Sequence, residues 1–254
     1  MTIQGAFVWY DLMTSDMAAA EAFYAGVIGW NAEDSGMPDT SYTLFRVGDR
    51  PMAGLMTLPQ DAKDMGVPPC WTGYVAVADV DKAAAAYQAD GGVVRKGPMD
   101  IPGVGRFAVA ADPQGAVLCL FKGQGEAMAP LALGTPGSIG WHELMTSDLE
   151  AGFAFYAKQF SWTRGDGVDM GDMGLYQFFV HDGEAVGGMM KRPPHLPVSY
   201  WGYYFNVEDI HAAVGKVTSG GGQVLNGPMP VPGGQWVANC RDPQGAYFSV
   251  VAAK

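Results

Sequence analysis

The chain has 254 residues, 48% hydrophobic and 16% charged, a composition that builds a packed core and excludes a disordered chain. Acidic residues outnumber basic ones, 26 against 15, and the resulting net charge of −11 opposes binding to a phosphate backbone, so no nucleic-acid partner is expected. No apolar run approaches the ~20 residues of a membrane helix, and the N-terminus lacks the basic lead and apolar stretch of a secretory leader.

From the N-terminus, residues 7–13 alternate as a strand does, with Trp9, Asp11 and Met13 on one face and Val8, Tyr10 and Leu12 on the other. Ser15 and Asp16 suit a helix N-cap, and Ala20, Phe23, Tyr24, Val27 and Ile28 give that helix one apolar face, which Gly29 ends. Residues 42–47 and 52–57 follow as strands around the turn Gly48-Asp49, with room for a further short strand. Residues 72–78 then open a second round of the same plan. Val80, Ala83, Ala84 and Tyr87 make a helix face and Gly91-Gly92 stops it. Strands are expected near Val93, over 106–111 and over 116–121, the last two joined by the tight turn Asp112-Pro113-Gln114-Gly115.

The whole plan then recurs. WYDLMTSDMAAAEAFYAGVIGW at 9–30 returns as WHELMTSDLEAGFAFYAKQFSW at 141–162. GGVVRKGPMDIPG at 91–103 returns as GGQVLNGPMPVPG at 221–233, and ADPQGAVLCLF at 111–121 as RDPQGAYFSVV at 241–251. A unit of roughly 120 residues is therefore repeated in tandem, over 1–122 and 137–254, with a Gly- and Pro-containing linker over 123–136. Each copy holds two β-α-β-β-β units, four in all. This is an α+β fold in which paired units are expected to curl into a cup-shaped half-barrel.

The ordered marks resemble the vicinal oxygen chelate superfamily, the group of glyoxalase I, bleomycin-resistance proteins and extradiol dioxygenases. They are Ser-Asp followed by Phe-Tyr at 15–24 and 147–156, Val-x-Asp-[Val/Ile] at 77–80 and 207–210, and Asp-Pro-Gln-Gly in both copies. Metal-using members take His, Gln or Glu ligands from the first, fifth and last strands of each cup. Carried onto this chain, those positions are Trp9, Thr72 and Cys119 in one copy and Trp141, Gly202 and Ser249 in the other. These residues make a poor set for a hard or borderline divalent ion. No cofactor is expected, and a divalent metal, though compatible with the family, is disfavoured.

The matching of Trp9 and Trp141 to ligand positions implies that Trp9, Asp11 and Met13, and likewise Trp141, Glu143 and Met145, face the cup interior. His142 then points outward beneath the helix. Asp11 and Glu143 are the candidate catalytic residues, as general bases partly desolvated beside Trp and Met. The alternative is that both acids satisfy neighbouring backbone, Tyr or Ser donors. The candidate ligand-binding residues are Trp9, Trp71, Thr72, Tyr74 and Cys119 in the first copy, and Trp141, Trp201, Tyr204 and Ser249 in the second. Glycines within 52–56 and 186–190 allow close backbone approach in mid-sheet. The loops Gly97-Pro98-Met99 and Gly227-Pro228-Met229 read as hairpin connections that could also close over a cup mouth.

Two functions compete on this reading. One is metal-independent binding of a small, largely apolar or aromatic molecule, which a cationic aromatic compound would suit on charge. The other is a glyoxalase-type lyase or isomerase using Asp11 or Glu143 as base. Its difficulty is that an enediolate needs an electrophile, and no ligand set or Arg cluster supplies one. A dioxygenase fits least, because His142, His181, His195 and His211 lie on separate elements. Cys70, Cys119 and Cys240 have no paired spacing, which suits a reducing, cytoplasmic setting.

Overall fold

The computed structural model describes residues 4–37, 40–125, 129, 131–194 and 196–253. Linker residues 126–128 and 130, and His195, lie outside the described residues. The first copy runs β1 (Phe7–Thr14), α1 (Met17–Ile28), β2 (Asn31–Asp34), β3 (Tyr42–Val47), β4 (Arg50–Thr57), α2 (Gln60–Asp64), β5 (Cys70–Ala76), α3 (Val80–Ala89), β6 (Val93–Ile101), β7 (Gly105–Ala111) and β8 (Val117–Gly123). The second runs β9 (Ile139–Thr146), α4 (Leu149–Phe160), β10 (Thr163–Asp169), β11 (Leu175–His181), β12 (Glu184–Lys191), β13 (Tyr200–Asn206), α5 (Ile210–Ser219), β14 (Gln223–Pro230), β15 (Gln235–Arg241) and β16 (Tyr247–Ala253). The four β-α-β-β-β units are present, and the further short strand allowed for in the first is the four-residue β2. The single-turn α2 was not anticipated; it has no buried face to leave a periodic signal.

One device starts all four long helices. Asp16, Asp79, Asp148 and Asp209 are extended N-caps whose carboxylates accept from the amides of Ala19, Lys82, Ala151 and Ala212, at 3.0, 3.1, 3.1 and 2.8 Å. Each such cap stabilises its helix by about 1 kcal/mol. These are the aspartates of the Ser-Asp and Val-x-Asp motifs, so those motifs have a structural explanation. The Asp-Pro-Gln-Gly turns work in a similar way. Asp112 Oδ1 accepts from the amides of Gln114 and Ala116, and Asp242 Oδ1 from those of Gln244 and Ala246.

In each unit the first and last strands pair in parallel, as in β1 with β4 (Asp11 opposite Gly54) and β5 with β8 (Tyr74 opposite Cys119). The strands form two eight-stranded sheets, ordered β2-β3-β4-β1-β5-β8-β7-β6 and β10-β11-β12-β9-β13-β16-β15-β14. Packing groups the chain differently from the repeat. One compact unit gathers residues 1–8, 73–129 and 141–201, and the other gathers 9–72, 130–140 and 202–254, so each takes chain from both copies.

Each unit has an aromatic core. In the second, Trp30 stacks on Phe45 with centroids 4.9 Å apart, and Tyr24 meets Trp71 edge to face at 5.2 Å. In the first, Trp162 stacks on Phe179 at 4.3 Å and Tyr156 meets Trp201 edge to face at 5.1 Å. Pairs of this kind add about 0.5–1.5 kcal/mol beyond the area they bury. The tryptophans that close the two repeated stretches also tie each core to the start of the other copy. Trp30 Nε1 donates to the Gly137 carbonyl at 2.7 Å, and Trp162 Nε1 donates to the Gly5 carbonyl at 2.8 Å. Both acceptors must be glycine. Gly5 has φ +87° and a side chain there would meet the Phe160 carbonyl; Gly137 has φ +82° and would meet Val47 and Trp30.

The Gly-Pro-Met segments are not hairpin connections. They lie inside β6 and β14, where the register with β7 and β15 shifts, and their Gly-Pro bonds are cis. A Cβ on Gly97 or Gly227 would run into the Phe107 or Val237 carbonyl of the neighbouring strand. The motif therefore accommodates a bulge, a feature that strand periodicity does not reveal.

Candidate functional site

Strand alternation puts Trp9 and Asp11 on one face of β1, where their side chains meet. Asp11 is buried, at 5% exposure. Its Oδ1 accepts from Tyr42 Oη at 2.6 Å and from Trp9 Nε1 at 2.9 Å, and Trp9 Nε1 also reaches Tyr42 Oη at 2.8 Å. The three side chains close a triangle. Its geometry depends on Gly54, the register partner of Asp11, because a Cβ there would occupy the space of the Tyr42 hydroxyl. The sequence expected close backbone approach at this glycine. Here it is a tyrosine ring that uses the space. Burial, and then the Asp11 charge, push the Tyr42 hydroxyl far above its ordinary pKa, so it stays a neutral donor.

The second copy rebuilds this group with a longer acid. Trp141 Nε1 donates to Tyr176 Oη at 2.8 Å, and Tyr176 Oη donates to Glu143 Oε2 at 2.9 Å. Gly188 is the register partner of Glu143, and a Cβ there would collide with the Tyr176 ring. Tyr42 and Tyr176 were missing from the sequence-derived site. The available signal was the same spacing in both copies: a tyrosine at the head of the third strand and a glycine mid-way along the fourth.

The later half of each copy carries a row of side chains across three strands. In the first copy the row is Tyr74 on β5, Cys119 on β8 and Val109 on β7. Phe107 and Phe121 flank it, their centroids 6.3 and 5.8 Å from Tyr74. In the second copy the matching row is Tyr204, Ser249 and Asn239. Asn239 Nδ2 donates to Ser249 Oγ at 2.9 Å and to Tyr204 Oη at 3.3 Å. Val237 and Val251 stand where the first copy has phenylalanines. Asn239 and Phe107 were not among the sequence candidates; comparing the two copies position by position would have exposed the first.

Trp71 and Trp201 were expected to line the cups, and the structure places them elsewhere. Both are buried in the cores beneath the helices, because alternation along β5 and β13 puts them opposite Thr72 and Tyr74, and Gly202 and Tyr204, respectively. Trp71 Nε1 donates to Tyr24 Oη at 2.9 Å, and Tyr24 Oη donates to Asp242 Oδ2 at 3.1 Å. Trp201 Nε1 likewise donates to Tyr156 Oη at 3.0 Å. The Asp-Pro-Gln-Gly turn of the second copy thus anchors the first helix of the first copy. Gln114 of the other turn receives Ser147 Oγ and the Asp148 amide, at 2.7 and 2.6 Å, and pins the start of α4. Burial raises the pKa of Asp112 and Asp242 above the usual carboxylate value.

His142 packs outward, into the core. It stacks flat on Phe7 with ring centroids 3.9 Å apart, and its Nδ1 lies 2.7 Å from the Val186 carbonyl. Burial lowers its pKa to about 4. The carbonyl contact requires the proton on Nδ1. Cys119 is buried, and burial raises the thiols of Cys70 and Cys240 to about 11 and about 12.

The fold family implies a divalent metal, and the donors at the mapped positions do not fit one. The indole Nε1 of Trp9 and of Trp141 offers a proton and no lone pair, and both are already donating. Gly202 has no side chain, and Ser249 Oγ is engaged by Asn239. Among the described residues no group of three or more His, Cys, Asp or Glu could hold an ion. Two shallow clefts, of ≈ 320 and ≈ 590 Å³, lie beside the helices and include neither Asp11 nor Glu143. Among the described residues no helix is long and apolar enough to cross a membrane.

Comparison with known proteins agrees with the fold. The model of the Glyoxalase/Bleomycin resistance protein/Dioxygenase superfamily matches residues 6–120 and again 138–250. The "Putative glyoxylase CFP32" of Mycobacterium tuberculosis is 33% identical over 251 residues, covering 98% of this chain and 95% of that protein. The anthracycline biosynthesis protein DnrV of Streptomyces peucetius is 34% identical over 260 residues, covering 97% and 93%. The Mn(II)-bound glyoxalase from Novosphingobium aromaticivorans has the same fold, with a TM-score of 0.65 at 19% identity over 99% of this chain and 82% of that one. On the two-fold family match and these full-length relatives, the chain belongs to the Glyoxalase/Bleomycin resistance protein/Dioxygenase superfamily and carries its domain twice in tandem.

Proposed function

We propose that this protein binds a small, largely apolar or aromatic molecule in one or both copies, without the divalent ion that the family often uses. The observation that carries this reading is the duplicated Trp–Tyr–carboxylate group. Indoles stand where a metal would need lone pairs, and they present aromatic surface beside a buried acid. Such a site offers stacking, a hydroxyl and a negative anchor, a combination suited to an amphiphilic aromatic compound. The net charge of −11 adds attraction for a cationic one. The name of the Streptomyces relatives, anthracycline biosynthesis proteins, points toward polycyclic aromatic chemistry. Cys70, Cys119 and Cys240 form no disulfide, which fits a cytoplasmic setting.

The second reading is a glyoxalase-type lyase or isomerase in which Asp11 or Glu143 removes a proton beside a carbonyl. The relative named a glyoxylase supports it. The Tyr and Trp donors already aimed at the acids weaken it, since they stabilise the carboxylate that would have to accept the proton. The test is metal analysis of protein purified without added metal, together with native intact-mass spectrometry. A metal-free chain retaining a small organic mass supports binding. One or two ions per chain would overturn the metal-free reading, and Asp11, Glu143 and His142 would then be the first residues to substitute.

A further inference from the structure

We infer that the second copy recognises a different ligand chemistry from the first: an uncharged polar group, such as an amide or a carbonyl beside a hydroxyl, read by Asn239 and Ser249. This inference rests on the proposed binding function and sharpens it. The two rows occupy equivalent places, and three-stranded register aligns them residue for residue: Tyr74 with Tyr204, Cys119 with Ser249, Val109 with Asn239. Only the tyrosine is shared. The first row is otherwise a thiol and an isopropyl group between Phe107 and Phe121. The second is an amide and a hydroxyl between two valines.

The second row is also organised. One amide atom of Asn239, Nδ2, bridges Ser249 Oγ and Tyr204 Oη. That contact fixes the amide, and its Oδ1 accepts from none of the described residues. Ser249, accepting from Asn239, keeps its own proton to donate. The pair therefore offers one acceptor and one donor a few ångströms apart, on the face of β15 and β16 opposite the core residues Ala238, Phe248 and Val250. Asn239 is half-buried and Ser249 buried, so a ligand that fails to use them leaves polar groups dry. No charged side chain is part of the row, which favours a neutral group over an ion. A site of this kind discriminates strongly, because the analogue lacking the polar group forfeits the hydrogen bonds and strands their partners.

The test uses the full chain and two nearly isosteric probes, 2-naphthamide and 2-isopropenylnaphthalene, titrated by calorimetry. The amide should bind the wild-type chain about 10- to 100-fold more tightly than the hydrocarbon, the effect of two neutral hydrogen bonds in a dry site. Replacing the row by its first-copy counterpart, Asn239→Val with Ser249→Cys, should remove that preference. The reverse exchange, Val109→Asn with Cys119→Ser, should add a second amide-preferring site, and it keeps the test meaningful if the first variant folds poorly. Equal binding of the two probes to the wild-type chain, or an amide preference that survives the first exchange in folded protein, would overturn the inference while leaving the binding function intact. Failure of both probes to bind would overturn both.

Discussion

Acidification should unfold this protein partly through His142. The ring is buried, stacked on Phe7 and donating from Nδ1 to the Val186 carbonyl, and its pKa falls from 6.5 to about 4 because burial disfavours the cation. The unfolded chain takes up a proton near the ordinary value of about 6.5, whereas the folded chain refuses it until about 4. Folded-state pKa is depressed for a base, so the stability is fully present above pH 6.5 and is lost as pH falls from 6.5 toward 4. Across that window each pH unit costs about 1.4 kcal/mol, for a total of about 3 kcal/mol, and about 2 kcal/mol is already lost at pH 5. The assay is urea denaturation followed by circular dichroism at pH 7.5 and 5.0, on wild type and on His142→Tyr, which installs the side chain that the first copy carries at Tyr10. Each protein is compared with itself, so any packing defect of the variant cancels. So do the contributions of Asp112 and Asp242, whose raised values are common to both. Wild type should lose about 2 kcal/mol more than the variant between the two pH values. Identical pH dependence in both proteins would show that the ring is not held neutral in the fold, and would refute the reasoning.

Three further outcomes follow from the same structure. Tyr42→Phe leaves buried Asp11 without its 2.6 Å donor and should cost about 1.5–3 kcal/mol in urea denaturation at neutral pH, with a comparable loss for Tyr176→Phe. Tyr24→Phe breaks two buried hydrogen bonds at once, from Trp71 and to Asp242, and should cost about 2–4 kcal/mol; a loss under about 0.5 kcal/mol would deny the relay any structural role. Asp148→Ala removes the N-cap of α4 and should lower stability by about 1 kcal/mol, measured as a shift in the denaturation midpoint at unchanged slope.

Much of the architecture was legible because it rests on local chemistry. The Asp caps, the Asp-Pro-Gln-Gly turns and the period-two and helical spacings each act within a few residues, and the repeat displayed every one of them twice. Alternation along β1 and β9 also placed Trp9, Asp11, Trp141 and Glu143 on one face, and His142 on the other. What alternation could not supply is a partner from a distant strand. Tyr42 reaches Asp11 from 31 positions away and Tyr176 reaches Glu143 from 33. Neither tyrosine looks unusual within its own strand.

The sequence by itself determined the tandem α+β fold, its elements and the face each strand shows, because those follow from backbone propensity, capping and hydrophobic period. The tertiary structure decided which residues meet. Trp71 and Trp201 read as aromatic lining until the helices cover them, and the exchange of Val109 for Asn239 gains its meaning only when Asn239 is seen bridging Ser249 and Tyr204. The packed units each draw on both copies, so a motif such as Asp-Pro-Gln-Gly closes a local turn and also holds a helix of the other copy. The physical reason is range. A cap or turn is satisfied by its neighbours in the chain, whereas a buried indole, phenol or amide must find its partner wherever close packing brings one.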